Sequence, residues 1–164
     1  LTMNLTIHTN YEQMESLMED LEPQLKKDFL FEAFILYNDI QLPKECLNKE
    51  RRQFNGKCIL DNFLKENKDN NIDLIIINED AFVERLNFVF GIARRNQGAL
   101  VSLYRLEEDH DFILKEIIHE LGHVLGLEHC KIPCVMTFSN SVTEARQKST
   151  EFCENCQEKL QKKI

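Results

Sequence analysis

Residues that punctuate linkers are scarce in this chain of 164: it has 3 prolines and 5 glycines. It shows no Pro/Gly-rich linker, low-complexity tract or internal repeat. The reading is therefore one domain, residues 1–164, long enough to bury a real core. Long apolar runs are missing too. The longest, from Ala33 to Tyr37, is five residues, whereas a bilayer span needs about 20, so no membrane role is expected. A surplus of positive charge is also lacking. Lys plus Arg is 20 against 28 for Asp plus Glu, a net charge of −8. Such a chain has nothing to spare for neutralising phosphates, and no nucleic-acid partner is expected. Residues 1–30 hold no basic segment followed by an apolar block, the pattern of a secretory signal. The expected setting is cytoplasmic and reducing. With 43% hydrophobic and 29% charged residues, the composition is that of a folded domain, not a disordered one.

Periodicity divides the chain into elements. Residues 3–9 alternate and predict a first strand. Met14, Leu17, Met18, Leu21 and Leu25 recur at helical spacing over residues 11–27, with Asn10 as a candidate N-cap and Pro23 near the end. Residues 29–37 and 72–77 predict two more strands, with a short helix over 57–66 and a polar turn over 65–71. Residues 41–56, which hold Pro43 and the charged run from Lys49 to Arg52, predict a surface loop. Strands over 88–93 and 99–106 follow, and a helix opens in the polar cluster 107–111 and runs to about Leu125. This order predicts an α/β or α+β domain with a mixed sheet and a central helix.

That helix carries the informative residues. His119 and His123 are four apart and stack on one helical face, close enough to share one metal. Glu120 follows the first histidine, offset around the helix, where it reaches a water on the metal more easily than the metal itself. Gly126 suits the left-handed turn that ends a helix. The chain then reverses, and His129 can return as a third ligand. Three neutral nitrogens leave one tetrahedral position open, the layout of a catalytic zinc. Zinc lowers the pKa of its bound water, Glu120 can accept the proton and pass it to a leaving amine, and the reaction is peptide-bond hydrolysis. His-Glu-x-x-His alone arises by chance in on the order of 1 in 100 such chains; with Gly126 and His129 added, on the order of 1 in 100,000. Gly122, in mid-helix, costs about 0.8–1 kcal/mol relative to alanine, which points to close packing against the returning chain.

Of six cysteines, four fall near the C-terminus as two close pairs, Cys130 with Cys134 and Cys153 with Cys156. Two short pairs separated by a loop match the way thiolates gather around tetrahedral zinc; two disulfides or four buried thiols are the alternatives. Cys46 and Cys58 lack such partners and read as core thiols.

The stretch from His119 to His129, with Met136 beyond it, resembles the zinc signature and Met-turn of the metzincins. Within that clan the chain resembles the archaemetzincins, on His129-Cys130, Cys134-Val135-Met136 and Cys153-Glu154-Asn155-Cys156, and on the upstream stretches 86–91 and 101–105. The gaps from Cys130 to Cys134 and from Met136 to Cys153 are each one residue shorter than the family's. The resemblance implies a metzincin-like fold: a twisted mixed sheet, a central active-site helix and a C-terminal helical segment. An N-terminal subdomain (1–126) would carry the active-site helix, and a C-terminal one (127–164) the four-cysteine site.

The resemblance further implies two Zn²⁺ ions. One is catalytic, on His119, His123 and His129, with Glu120 as general base and acid. The other is structural, on Cys130, Cys134, Cys153 and Cys156. Met136 would form a floor under the imidazoles. A peptide or protein substrate would lie along an edge strand, with 91–98 as the candidate edge or its loop. Phe138 stands where some other metzincins carry a zinc-binding tyrosine, and Tyr104, His8 and His110 read as structural or surface residues. The leading reading is a zinc-dependent peptidase. The alternative is a zinc-stabilised peptide- or protein-binding module with an idle or masked catalytic site. A four-cysteine nucleic-acid binder conflicts with the net charge.

Overall fold

The computed structural model describes residues 3–64 and 70–163. Among these described residues, eight strands and five α-helices follow one another: β1 (Met3–Thr9), α1 (Met14–Phe29), β2 (Phe31–Tyr37), β3 (Leu47–Asn48), β4 (Gln53–Asn55), α2 (Gly56–Phe63), β5 (Asn71–Ile77), β6 (Ala81–Phe82), β7 (Gly91–Arg94), β8 (Gly98–Ser102), α3 (His110–Val124), α4 (Val142–Gln147) and α5 (Glu154–Lys163). The main sheet has the order β2-β1-β5-β8-β7. Every pair in it is parallel except β7 with β8, so the sheet is mixed, as expected.

Side chains alternate across a strand, and this alternation makes two cores. Leu5, Ile7, Leu74, Ile76, Ala99 and Val101 face α1 and α3. Ile75, Ile77 and Leu100 face α2 on the other side. Covered on both faces, β5 is continuously apolar from Leu74 to Ile77, as buried parallel strands are. The C-terminal segment shares the first core: Phe152 meets Phe29 of α1 edge-on at 5.6 Å, and Leu160 is buried beside it. Full burial of a side chain such as Phe29 contributes about 1.5–3 kcal/mol.

Several boundaries differ from the sequence reading. Helix α1 begins at Met14 rather than after Asn10, because the Asn10 side chain is taken up by Glu79 and by the Asn78 N–H. It then runs through Pro23 to Phe29, where Leu30 turns left-handed (φ 57°) and sets β2 starting two residues late. The expected strand at 88–93 shifts to Gly91–Arg94, and the strand at 99–106 ends at Ser102. The loop expected over 41–56 instead holds a 3₁₀ turn (Lys44–Cys46) and strands β3 and β4, which join β6 in a second sheet. Strands of two or three residues show no legible period. The reading of Cys46 and Cys58 as core thiols is corrected: they form a disulfide that ties the 3₁₀ turn to α2. The polar turn expected over 65–71 lies mostly outside the described residues.

Candidate functional site

Helix α3 crosses the sheet face formed by β7 and β8 and is buried on nearly every side. The Asp109 side chain caps its N-terminus by accepting from the Phe112 N–H. Its C-terminus is a Schellman turn. Gly126, at φ 95°, donates its N–H to His123 O, and the Leu127 N–H reaches Gly122 O, both at 2.9 Å. This turn has a chemical consequence, because it brings the Leu127 carbonyl to 2.8 Å from His123 Nδ1. The Val135 carbonyl takes the same position against His119 Nδ1, also at 2.8 Å.

A carbonyl oxygen only accepts, so both Nδ1 atoms carry the proton and both Nε2 atoms present bare lone pairs. Those two Nε2 atoms lie 3.1 Å apart, lone pair to lone pair. Nothing in the protein makes this contact favourable, but a shared cation does: two nitrogens at about 2.0–2.1 Å from a tetrahedral zinc sit about 3.3 Å apart. The His129 ring completes the group, its centroid 5.5 Å from that of His119 and 4.8 Å from that of His123. One nitrogen from each histidine lies within 4.8 Å of the others. Burial, and after it the Lys148 ammonium, push His119 down to about 3. Burial also lowers His123 and His129, so all three rings are held in the neutral form that binds metal.

Glu120 lies beside the histidines and lines the same cleft. Burial, and then the Glu116 carboxylate one helical turn earlier, push it up to about 8. Among the described residues its carboxylate makes no hydrogen bond to protein, so its proton exchange is with whatever enters the cleft. Glu116 pairs with Lys148, which reaches in from just beyond α4, at 3.4 Å with both side chains only 6% exposed. Lys148 Nζ also lies 3.3 Å from His119 Nδ1. That nitrogen already donates to Val135, so the contact is electrostatic and disfavours a charged ring.

Gly91 opens β7 directly against the base. A Cβ there would stand 2.7 Å from Glu120 Cγ and 2.8 Å from Leu100 O. Gly122 plays the matching part on the far side of the helix, since its Cβ would meet Met136 Sδ at 2.5 Å. The close approach expected at Gly122 is thus present, and Met136, fully buried, is the residue that approaches.

The four cysteines also converge. All four are free thiols, with one sulfur from each within 4.8 Å of the others. Cys130 Sγ and Cys153 Sγ are 3.7 Å apart, far beyond a bond and close to the roughly 3.8 Å between two sulfurs on a tetrahedral zinc. Backbone N–H groups of Met136 and Cys153 point at Cys134 Sγ, as they do at thiolates.

The cleft above α3 encloses about 430 Å³. Residues 86–91 form one wall and residues 138–141 the other. Two arginines brace the first wall. Arg51 donates to the Leu86 and Asn87 carbonyls, and the Arg105 guanidinium lies 4.0 Å over the Phe88 ring while it pairs with Asp80. Phe138 packs on His129 with ring centroids 5.1 Å apart. Tyr104 is exposed. His110 sits exposed at the start of α3 against Asp20, and His8 pairs with Asp73 on the α2 side of the sheet. None of the three lines the cleft. Sequence reading missed Glu116, Lys148 and the two arginines. Glu116 carried a signal, four residues before Glu120 on the same face; Lys148 carried none.

The family model for peptidase family M54 matches residues 2–162. The archaemetzincin of Nanoarchaeum equitans is 43% identical over 132 residues, 80% of this chain and 75% of that protein. The archaemetzincin of Archaeoglobus fulgidus is 39% identical over 150 residues, 87% of this chain and 90% of that protein. Among solved structures, the archaemetzincin of Methanopyrus kandleri superposes with a TM-score of 0.89 at 32% identity, covering 99% of this chain and 95% of that one. The A. fulgidus archaemetzincin, complexed with malonate, gives 0.81 at 33% identity over 96% and 99%. The fold is therefore the metzincin-like one that the signature implied, and the chain belongs to peptidase family M54, as a zinc metallopeptidase of the archaemetzincin type.

Proposed function

We propose that the chain hydrolyses peptide bonds at a single catalytic zinc held by His119, His123 and His129, with a second, structural zinc on Cys130, Cys134, Cys153 and Cys156. The observation that carries this reading is the pair of unprotonated Nε2 atoms 3.1 Å apart, with a third neutral imidazole beside them. When bound there, zinc supplies Lewis acidity to a water and to the scissile carbonyl. The rest is done by the chain. Glu120 takes a proton at its carboxylate and returns it to the leaving nitrogen. Gly91 leaves it room to lie against the cleft wall. Met136 supports α3 beneath the histidines, and Gly126 turns the chain so that His129 returns.

The substrate is a peptide or protein, and β7 is the edge along which it would lie. The Ser102 N–H bonds Phe90 O. In this antiparallel pair the polar groups of Ile92 and Arg94 therefore face β8, and those of Gly91 and Ala93 face outward. An extended peptide can pair with those free groups beside the metal site. Residues 1–164 act as one catalytic domain, divided after Gly126. No described helix is long and apolar enough to cross a membrane.

The test is Glu120→Ala. The variant should keep two equivalents of zinc by elemental analysis and the wild-type melting curve, and lose cleavage across a peptide library. Persisting cleavage would show that the base is another group. Wild-type protein that binds library peptides without turnover would favour the binding-module reading instead.

A further inference from the structure

The two metal-ligand clusters are not independent pieces of the fold. His129 and Cys130 are consecutive residues, so one peptide unit joins a ligand of each cluster. His119 and His123 are each oriented by a carbonyl at 2.8 Å. Among the described residues the His129 ring has no such hydrogen bond, and it is the most exposed of the three histidines. What holds it is the neighbouring Cys130, whose N–H donates to Met136 O at 2.9 Å and whose sulfur sits in the thiol cluster, together with the Phe138 ring. A second link is separate from this one. The carbonyl that orients His119 belongs to Val135, the residue after Cys134, and the Cys134 sulfur accepts from the next N–H, that of Met136. Two of the three histidines are thus positioned by main chain that the cysteines anchor.

From this we infer that the four-cysteine cluster sets the metal affinity of the three-histidine site, so that the two sites bind metal cooperatively. The inference rests on the assignment of both clusters as metal sites. Cys130, Cys134 and Val135 are positioning residues: they touch neither substrate nor the reacting atoms. Outer groups that orient metal ligands typically change affinity by about 10–100-fold. Coupling between two sites is reciprocal, so each should tighten the other by the same factor.

Cys156 offers the clean perturbation. It sits on α5 with no covalent tie to either histidine segment. In Cys156→Ser, Co²⁺ titrated into the histidine site and followed by its visible absorption should bind about 10–100-fold more weakly than in the wild-type chain. Cys156→His, which restores a fourth ligand of a kind zinc accepts, should recover both the lost zinc equivalent and the Co²⁺ affinity. The reverse arm does not depend on a chain that has lost its cluster. In His123→Gln the thiolate cluster should yield Zn²⁺ to a competing chelator more readily, by a similar factor.

Co²⁺ affinity within twofold of wild type in Cys156→Ser, with one zinc equivalent gone, overturns the coupling and leaves the histidine site standing. So does an unchanged thiolate affinity in His123→Gln. Wild-type protein that loads one ion on the cysteines and none on the histidines overturns the histidine-site assignment, and the coupling with it.

Discussion

Replacing Lys148 by methionine removes the cation from a pair in which both side chains are 6% exposed. Glu116 then keeps a buried carboxylate with no partner, a class of change that costs about 3–5 kcal/mol. The structure narrows that range. Burial already raises Glu116 above its ordinary 4.5, and Lys148 is the largest influence pulling it back. Once Lys148 is gone, the cheapest response is for Glu116 to take up a proton. At 1.36 kcal/mol for each pH unit between 4.5 and 7 this costs about 3.4 kcal/mol at neutrality, and less to the extent that the wild-type carboxyl is already raised. For a domain of this size about 3 kcal/mol lowers Tm by roughly 6–12 °C.

The sign with pH follows from the same group. A folded-state pKa raised above the unfolded value carries no penalty below 4.5, and the penalty grows as pH rises through the window above it. The deficit of Lys148→Met against wild type should therefore be largest at pH 7 to 8 and shrink as pH falls toward about 4.5. Scanning calorimetry of both proteins over that range measures it. The double variant Lys148→Met with Glu116→Gln should recover most of the loss, because it leaves no buried charge. A Tm within about 2 °C of wild type at pH 7, or a deficit that widens on acidification, would refute the reasoning.

Other outcomes follow from single contacts. Gly91→Ala sets a methyl against both Glu120 and the rigid Leu100 carbonyl; peptide turnover should fall at least about tenfold, in line with a misplaced general base, while zinc content by elemental analysis stays at the wild-type level. Gly122→Ala gains about 0.8–1 kcal/mol of helix propensity but overpacks Met136 at a typical cost of about 1–3 kcal/mol, so denaturant unfolding should show a net loss of up to about 2 kcal/mol; a variant more stable than wild type would contradict the packing argument. Cys46→Ser should lose about 2–4 kcal/mol under oxidising conditions and match wild type in a strong reductant, as compared by urea midpoints.

The helix-borne signature was legible in the sequence because its chemistry is local. A spacing of four from His119 to His123 brings two rings onto one face of any α-helix, and a glycine at 126 stops that helix wherever it packs. The cysteine pairs were legible by the same kind of spacing, and the long strands by alternation or by continuous apolar runs. The second sheet was not, since strands as short as β3 and β6 leave no pattern and are held only by their partners across the fold. Nor was the Cys46–Cys58 bridge: spacing alone does not tell a buried thiol from half of a disulfide.

By itself the sequence determined which atoms can bind metal and in what helical order, because ligand identity and the pitch of a helix are properties of neighbouring residues. Only the tertiary structure decided which nitrogen of His119 and of His123 faces the site, through the carbonyls of Val135 and Leu127. It also decided that Glu116 carries Lys148 as its counter-charge from about thirty residues downstream, and that an edge glycine leaves room for the base. Those choices depend on chain segments that meet only after folding, and distance along the chain says nothing about such meetings until the core has formed.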